Sequence, residues 1–323
     1  MLTEIEARCR QWLCPVNGKN ADLNNNIQKL YHQVTDLDFT SPINAFTSRL
    51  AQVEYEFEKT EQVSGSICFY GGVLTSLLTT GKVEQVEDLF TFALCYMLID
   101  HFLDSKEISK AEKDIAMKEL YNFLVNDVES DNILIRSGGP RYQKMIQRDP
   151  AIKKEIIKLL QSELVGTKLT PDDTRDDILA NTLEKGGMTA QVIATIIGLD
   201  TSQNGHYDLG SCIQLVDDLI DLKDDQDLGI WTLALHDWAS GCLDQYIWFT
   251  FQKIHSLPNC YNFFKIILFM GCILGIHDNG RVSEPLRKIL DQYNIFDQET
   301  SKDSLNNWFH SKLYNYIEER NNK

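Results

Sequence analysis

Little in this sequence interrupts a chain or bridges it covalently. Only 7 prolines and 18 glycines occur in 323 residues, which excludes collagen-like and long flexible segments. No two of the eight cysteines stand at CxxC spacing, and none is matched with histidines at zinc-ligand spacing. Cys9, Cys14, Cys68, Cys95, Cys212, Cys242, Cys260 and Cys272 therefore read as reduced thiols of an intracellular, cytoplasmic protein. Positive charge is scarce: 31 Lys and Arg face 47 Asp and Glu, a net charge of −16. That balance argues against a nucleic-acid partner and an anionic membrane surface. An anionic substrate would need metal ions to bridge it to such a protein. The most apolar run, Ile266–Ile276, has 11 residues, too short for a membrane span and suited to a buried helix. The opening MLTEIEARCRQW is polar and carries early acids, unlike a signal peptide.

What is present is helical periodicity. The pattern predicts helices over 24–37, 43–62, 66–80, 83–104, 109–127, 150–166, 173–198, 206–225, 232–255, 261–276, 283–292 and 303–319. Breakers separate them at Ser41-Pro42, Gly81, Ser137-Gly138-Gly139-Pro140, Asp149-Pro150, Thr170-Pro171 and Asn279-Gly280. No strand alternation, repeat or low-complexity linker stands out. The expectation is one all-α domain over 1–323, a helical bundle around a central cavity.

Two helices carry acids where apolar residues belong. Val86, Phe90, Ala93, Met97, Asp100 and Asp104 are spaced by alternating steps of 4 and 3 and share one helix face. The face is apolar for three turns and ends on two aspartates one turn apart. Like charges at that spacing repel by roughly 0.2–0.5 kcal/mol even when exposed. On a buried face they need a cation, and carboxylate oxygens suit magnesium. The plain alternative is a helix end fraying into solvent at DHFLDSKE, with His101 a polar neighbour.

The second segment, QLVDDLIDLKDD, holds five aspartates: Asp217, Asp218, Asp221, Asp224 and Asp225. Aspartate is a poor helix former, yet Leu209, Ile213, Val216 and Ile220 carry a helical apolar stripe through the segment. Asp217, Asp221 and Asp225 stack beside it. A calcium loop is excluded because the loop glycine is missing and the stripe is helical; a solvated acidic face is the remaining alternative. Between the two acidic helices, Asn181 to Asp200 reads as a helix with Gly186-Gly187 inside it. These glycines either kink the helix beside Lys185, exposing backbone for a phosphate, or separate two helices.

Two aspartate-rich helices flanking a glycine-interrupted one resemble the class I isoprenoid synthase superfamily, which includes trans-prenyl diphosphate synthases, class I terpene cyclases and squalene/phytoene synthases. Asp100 and Asp104 resemble the outer positions of its DDxxD motif, with His101 in place of the second aspartate. Asp217, Asp218 and Asp221 match the second DDxxD, and Asp217, Asp221 and Asp225 also overlay the cyclases' NSE triad. Leu228–Leu235 is similar to the segment that follows it. Lys185 and Gly186 resemble the diphosphate-sensing helix break. The resemblance spans roughly 66–235 and implies that all-α fold, several Mg²⁺ ions (replaceable by Mn²⁺) and a prenyl diphosphate substrate. Asp100, Asp104, Asp217 and Asp221 are the expected catalytic set, and with Asp218 and Asp225 the expected metal ligands. Phe69, Tyr70, Phe90, Ala93, Tyr96 and Met97 are the expected substrate pocket. The family's basic site for isopentenyl diphosphate is not matched: Lys106 and Lys110 follow Asp104 without an arginine pair, and the early Gly-Lys of VNGKN lacks its arginine. The Arg-Tyr pair of many cyclases has only Lys312 and Tyr314 as stand-ins. The expectation is therefore a terpene synthase that ionises one allylic diphosphate, farnesyl diphosphate favoured, and cyclises it. A prenyl diphosphate synthase, a squalene/phytoene-type condensing enzyme and a non-catalytic helical scaffold remain open, as does a homodimer.

Overall fold

The structure, a computed structural model, describes residues 85–279 except 106, 202–204, 242 and 259–260, together with 46, 48, 50, 65, 68, 69, 71–73, 75, 76, 282–284, 286 and 287. The helices expected over 24–37 and 303–319 lie outside the described residues, as do most of 43–62, 66–80 and 283–292, and Lys312 and Tyr314. Among the described residues there is no strand, so the architecture is helical. It comprises α1 (Val86–Asp104), α2 (Lys110–Asn126), α3 (Ile133–Arg148), α4 (Pro150–Gly166), α5 (Arg175–Ile196), α6 (Gly205–Ile220), α7 (Leu222–Leu228), α8 (Leu233–Ala239), α9 (Leu243–Ser256) and α10 (Asn262–Asn279).

Helix starts follow local chemistry. The Ser109 hydroxyl accepts from Glu112 N–H while the Glu112 carboxylate accepts from Ser109 N–H, a reciprocal box that opens α2. Asp149 caps Ala151 N–H, with Pro150 in the first turn of α4. Thr174 caps α5 through Asp177 N–H.

Three boundaries differ from the sequence reading. The stretch Ser137-Gly138-Gly139-Pro140 is not a breaker, because α3 runs through it. A Cβ on Gly139 would fall 2.7 Å from the Phe123 ring, and one on Gly138 3.3 Å from Cys95 Sγ. Those glycines let α3 approach α2 and α1. The 206–225 helix divides at Asp221 into α6 and α7, although Asp221 N–H still bonds Asp217 C=O and Asp225 N–H bonds Asp221 C=O. The 232–255 helix divides at Gly241, whose φ of 83° falls outside the helical region. Ile213 is exposed; the buried stripe of α6 is Leu209, Cys212, Leu215, Val216 and Leu219.

Two apolar clusters form the interior. One gathers α1–α4 with the C-terminal half of α5 around Phe90, Leu94, Met117 and Met145. The other gathers α6 and α8–α10 around Leu215, Tyr246 and Phe251 and takes in Ile178 of α5. Thus α5 belongs to both. It meets α6 backbone to backbone: a Cβ on Gly186 would lie 2.3 Å from Gly210 O, and one on Gly210 2.1 Å from Gly186 O. Gly187 sits against the Tyr207 ring, 2.4 Å from where its Cβ would be. The α5 glycines therefore serve close helix approach within one uninterrupted helix, not a boundary between two. Cys68, Cys95, Cys212 and Cys272 are unbridged. Among the described residues no helix is long and apolar enough to cross a membrane.

Gly210→Ala is expected to destabilise the protein by about 1–3 kcal/mol or more, the cost of forcing volume into a filled contact. Gly71, a helical position where a Cβ meets nothing within 4 Å, provides the comparison: Gly71→Ala should be stabilising by about 0.5–1 kcal/mol. Urea unfolding of both variants measures the difference.

Candidate functional site

A cavity of about 550 Å³ opens between α1, α2, α4, α5, α6 and the α7–α8 connection. Its acidic walls come from two sides. Asp100, at the end of the apolar face of α1, lines it, and so do Asp217, Asp218 and Asp221 of the α6 end and Asp225 of α7. The two aspartate-bearing helices thus face one space. Asp224 is exposed and is not among the described lining residues.

The acids differ in environment. Asp218 is buried and tied down: Gln214 Nε2 donates to Oδ1 at 2.8 Å and Thr182 Oγ1 to Oδ2 at 3.4 Å, linking α6 to α5. Burial pushes it up to about 6. Asp217 and Asp221 keep open faces toward the cavity they line. Burial, and then neighbouring carboxylates including Asp100, raise Asp217 well above the usual range; burial and the charges of Asp224, Asp218 and Asp100 lift Asp221 to about 6. Burial, with Asp218 and Asp221, pushes Asp225 up to about 8 against a 3.2 Å hydrogen bond from Thr232. Burial raises Asp100, opposed by Lys185 and then His101. A carboxylate set held this close strains toward protonation unless positive charge is supplied.

Lys185 is the cation whose field reaches all of them, lowering Asp100, Asp217, Asp218, Asp221 and Asp225. Its ammonium lies 3.4 Å from Glu163 Oε2 of α4. Glu163, Thr182, Thr232 and Trp231 all line the cavity; the sequence reading singled out neither Glu163 nor Thr182, and took in Trp231 and Thr232 only as part of Leu228–Leu235. Trp231 Nε1 is buried and finds no hydrogen-bond partner among the described residues. Apolar lining comes from Leu103, Ile108, Leu169, Leu228 and Ile230.

The remaining expected site residues are placed as follows. Phe69, Phe90, Ala93 and Met97 are buried within the α1–α4 core and are not among the described lining residues; Phe46 packs tilted against Phe69 and edge-on to Phe90. Tyr96 is half-buried beside Phe92 and is not among the described lining residues; burial pushes its hydroxyl well above the usual range, with Lys185 opposing and Asp100 and Glu163 adding to the rise. Gly186 faces Gly210 and lies off the cavity lining, whereas its neighbour Lys185 is on it. Tyr70, Lys106 and the Asp104 side chain lie outside the described residues.

Among the described residues no three His, Cys, Asp or Glu side chains converge as a group that could hold a metal ion. The donor chemistry nevertheless fits a hard divalent cation: the acids around the cavity offer carboxylate oxygens, the ligands magnesium prefers.

Asp225 gives this charge imbalance a measurable sign. An unfolded-chain aspartate titrates near 3.9, while folded Asp225 titrates at about 8. The folded chain holds a proton that the unfolded chain has lost. Its penalty is absent below about pH 4, grows with rising pH and is complete above about pH 8. Asp225→Asn keeps an oxygen acceptor for Thr232. It should raise the Tm of metal-free protein more at about pH 8 than at about pH 5, by thermal circular dichroism; an equal or reversed difference would contradict this picture.

Comparison with protein-family models, curated proteins and solved structures found no match for this chain.

Proposed function

We propose that this chain is a class I terpene synthase, built on the isoprenoid-synthase type of helical bundle, that ionises an allylic prenyl diphosphate in the cytoplasm. The observation that carries the reading is Asp100 of α1 and Asp217, Asp221 and Asp225 of α6–α7 lining one cavity, with Lys185 beside them. Farnesyl diphosphate is the favoured substrate and a sesquiterpene the product.

Asp100 and Asp104 from one side, and Asp217, Asp218, Asp221 and Asp225 from the other, would hold magnesium ions or manganese in their place. Bound there, the ions supply charge neutralisation and Lewis-acid polarisation at the departing diphosphate. Lys185 donates to a phosphate oxygen as negative charge grows on it. The C–O bond breaks with its electron pair leaving on diphosphate, and the prenyl chain becomes an allyl cation. Leu103, Ile108, Ile230 and Trp231 line the same cavity and would offer the cation apolar surface that shields it from water.

One observation favours a second reading, a condensing enzyme that takes two prenyl diphosphates: Lys110 and Lys113 of α2 line the same cavity. Incubation with ten-, fifteen- and twenty-carbon diphosphates, singly and paired with isopentenyl diphosphate, separates the two when products are read by mass spectrometry. A cyclic hydrocarbon from the fifteen-carbon substrate alone supports the synthase. A lengthened diphosphate supports condensation. Absence of magnesium-dependent diphosphate release from every substrate would leave a non-catalytic scaffold.

Asp217→Ala is expected to abolish turnover while the metal-free protein keeps or gains stability, since one member of a repelling set is gone. Steady-state assay beside a thermal melt measures both, and full activity in the variant would end the metal-cage reading. Asp100→Asn should cost more activity than His101→Ala, because the two side chains are rotated by about 100° on α1.

Substrate length rests on Tyr96, one turn before Asp100. Tyr96→Ala should move the ratio of fifteen- to twenty-carbon turnover toward the longer chain by about 1–3 kcal/mol. An unchanged ratio would make Tyr96 a core residue only.

A further inference from the structure

Glu163 belongs to neither aspartate-rich segment, yet it lines the same cavity. It continues the buried stripe of α4 formed by Ile152, Ile156 and Leu159 or Leu160, so helix geometry drives a carboxylate into the interior. Its side chain is 7% exposed, against 28% for its partner Lys185, and the two approach to 3.4 Å. A buried carboxylate without that partner would be costly.

Lys185 has more than one acid to choose from. Its charge acts on Asp100 across the cavity and on Asp217, Asp218, Asp221 and Asp225 along α6–α7. A lysine carries its charge on a flexible four-carbon stem. Released from α4, it would close onto Asp100 or Asp217 and form the ion pair that a divalent cation must then displace. We infer that Glu163 is a positioning residue that anchors the Lys185 ammonium on the α4 side of the cavity and keeps it off Asp100 and the α6 carboxylates. The inference rests on the proposed metal-binding role of those aspartates and adds to it how the site's own cation is prevented from occupying them.

The test uses full-length, metal-free protein and magnesium alone, titrated by calorimetry, so no prenyl substrate enters. Glu163→Gln should weaken magnesium binding by about tenfold, the lower end of what altered supporting residues cost a metal site. Glu163→Asp, which keeps the anchoring charge, should stay within about threefold of the parent. In a Lys185→Met background Glu163→Gln should change affinity by less than about twofold, because the competing ammonium is gone. The same loss in both backgrounds would mean that only local charge was removed, and would overturn the inference, as would an unchanged Glu163→Gln protein. Circular dichroism checks that each variant folds. Should Lys185→Met not fold, a crystal structure of Glu163→Gln decides: Lys185 Nζ moved onto Asp100 or Asp217 supports the anchor, and Nζ left in place overturns it. Parent protein that binds no magnesium would instead remove the metal-cage reading itself and the anchor with it.

Discussion

The contact on which the site depends is the touching of two backbones, where Gly186 of α5 meets Gly210 of α6. Helices separated by ordinary side chains lie 8–10 Å apart; here neither partner has a Cβ, and a methyl on either would strike the other's carbonyl. That approach places Lys185 one residue from the crossing and Gln214 one turn beyond it. Gln214 and Thr182 then hold Asp218 between the helices. With Asp218 as a fixed link, Asp217 and Asp221 on the same turns are presented to the cavity rather than buried in the seam.

The cavity's electrostatics follow from that closeness. Five aspartates and Glu163 share one principal cation, and burial raises every one of their pKa values. A chain carrying −16 overall has little long-range attraction for an anion. Under the proposed function, a phosphate ester would be recognised locally, through the lysines that line the cavity and whatever positive charge the carboxylates recruit. Ile230 and Trp231 add apolar surface to the same lining.

Much of this was readable from residue spacing. The face of α1 that ends on Asp100 and the acids of α6–α7 could be found because repulsive residues continue a helical pattern. The same signal was available for Glu163, which extends the Ile152–Ile156–Leu159 stripe, but a single acid in an otherwise ordinary helix is easily passed over. Helix α3 was missed because Ser-Gly-Gly-Pro reads as a loop locally, and only the neighbours Phe123 and Cys95 explain why glycine is needed there. Gly186-Gly187 suggested an interruption for the same reason. The division at Asp221 left no mark in the pattern, since the four-residue hydrogen bonds continue across it. Phe90, Ala93 and Met97 show the limit of reasoning along one face: a helix enclosed on several sides buries residues all around, and spacing does not say which side meets the cavity.

The ion pair between Arg175 and Asp237 has a topological consequence. The guanidinium grips the buried carboxylate through Nε and Nη2, at 2.9 and 2.7 Å, across a sequence separation of 62 residues. That span contains Lys185, both glycines of the helix crossing and all the aspartates of α6 and α7. Lys185 and most of the cavity's acids are therefore carried on one closed loop of chain. Closing a loop of this length carries an entropic cost that grows only slowly with length, but closing this one also gathers mutually repelling charges. Opening the loop at its base would move Asp217, Asp218, Asp221 and Asp225 together relative to Asp100 and Glu163, which lie outside it.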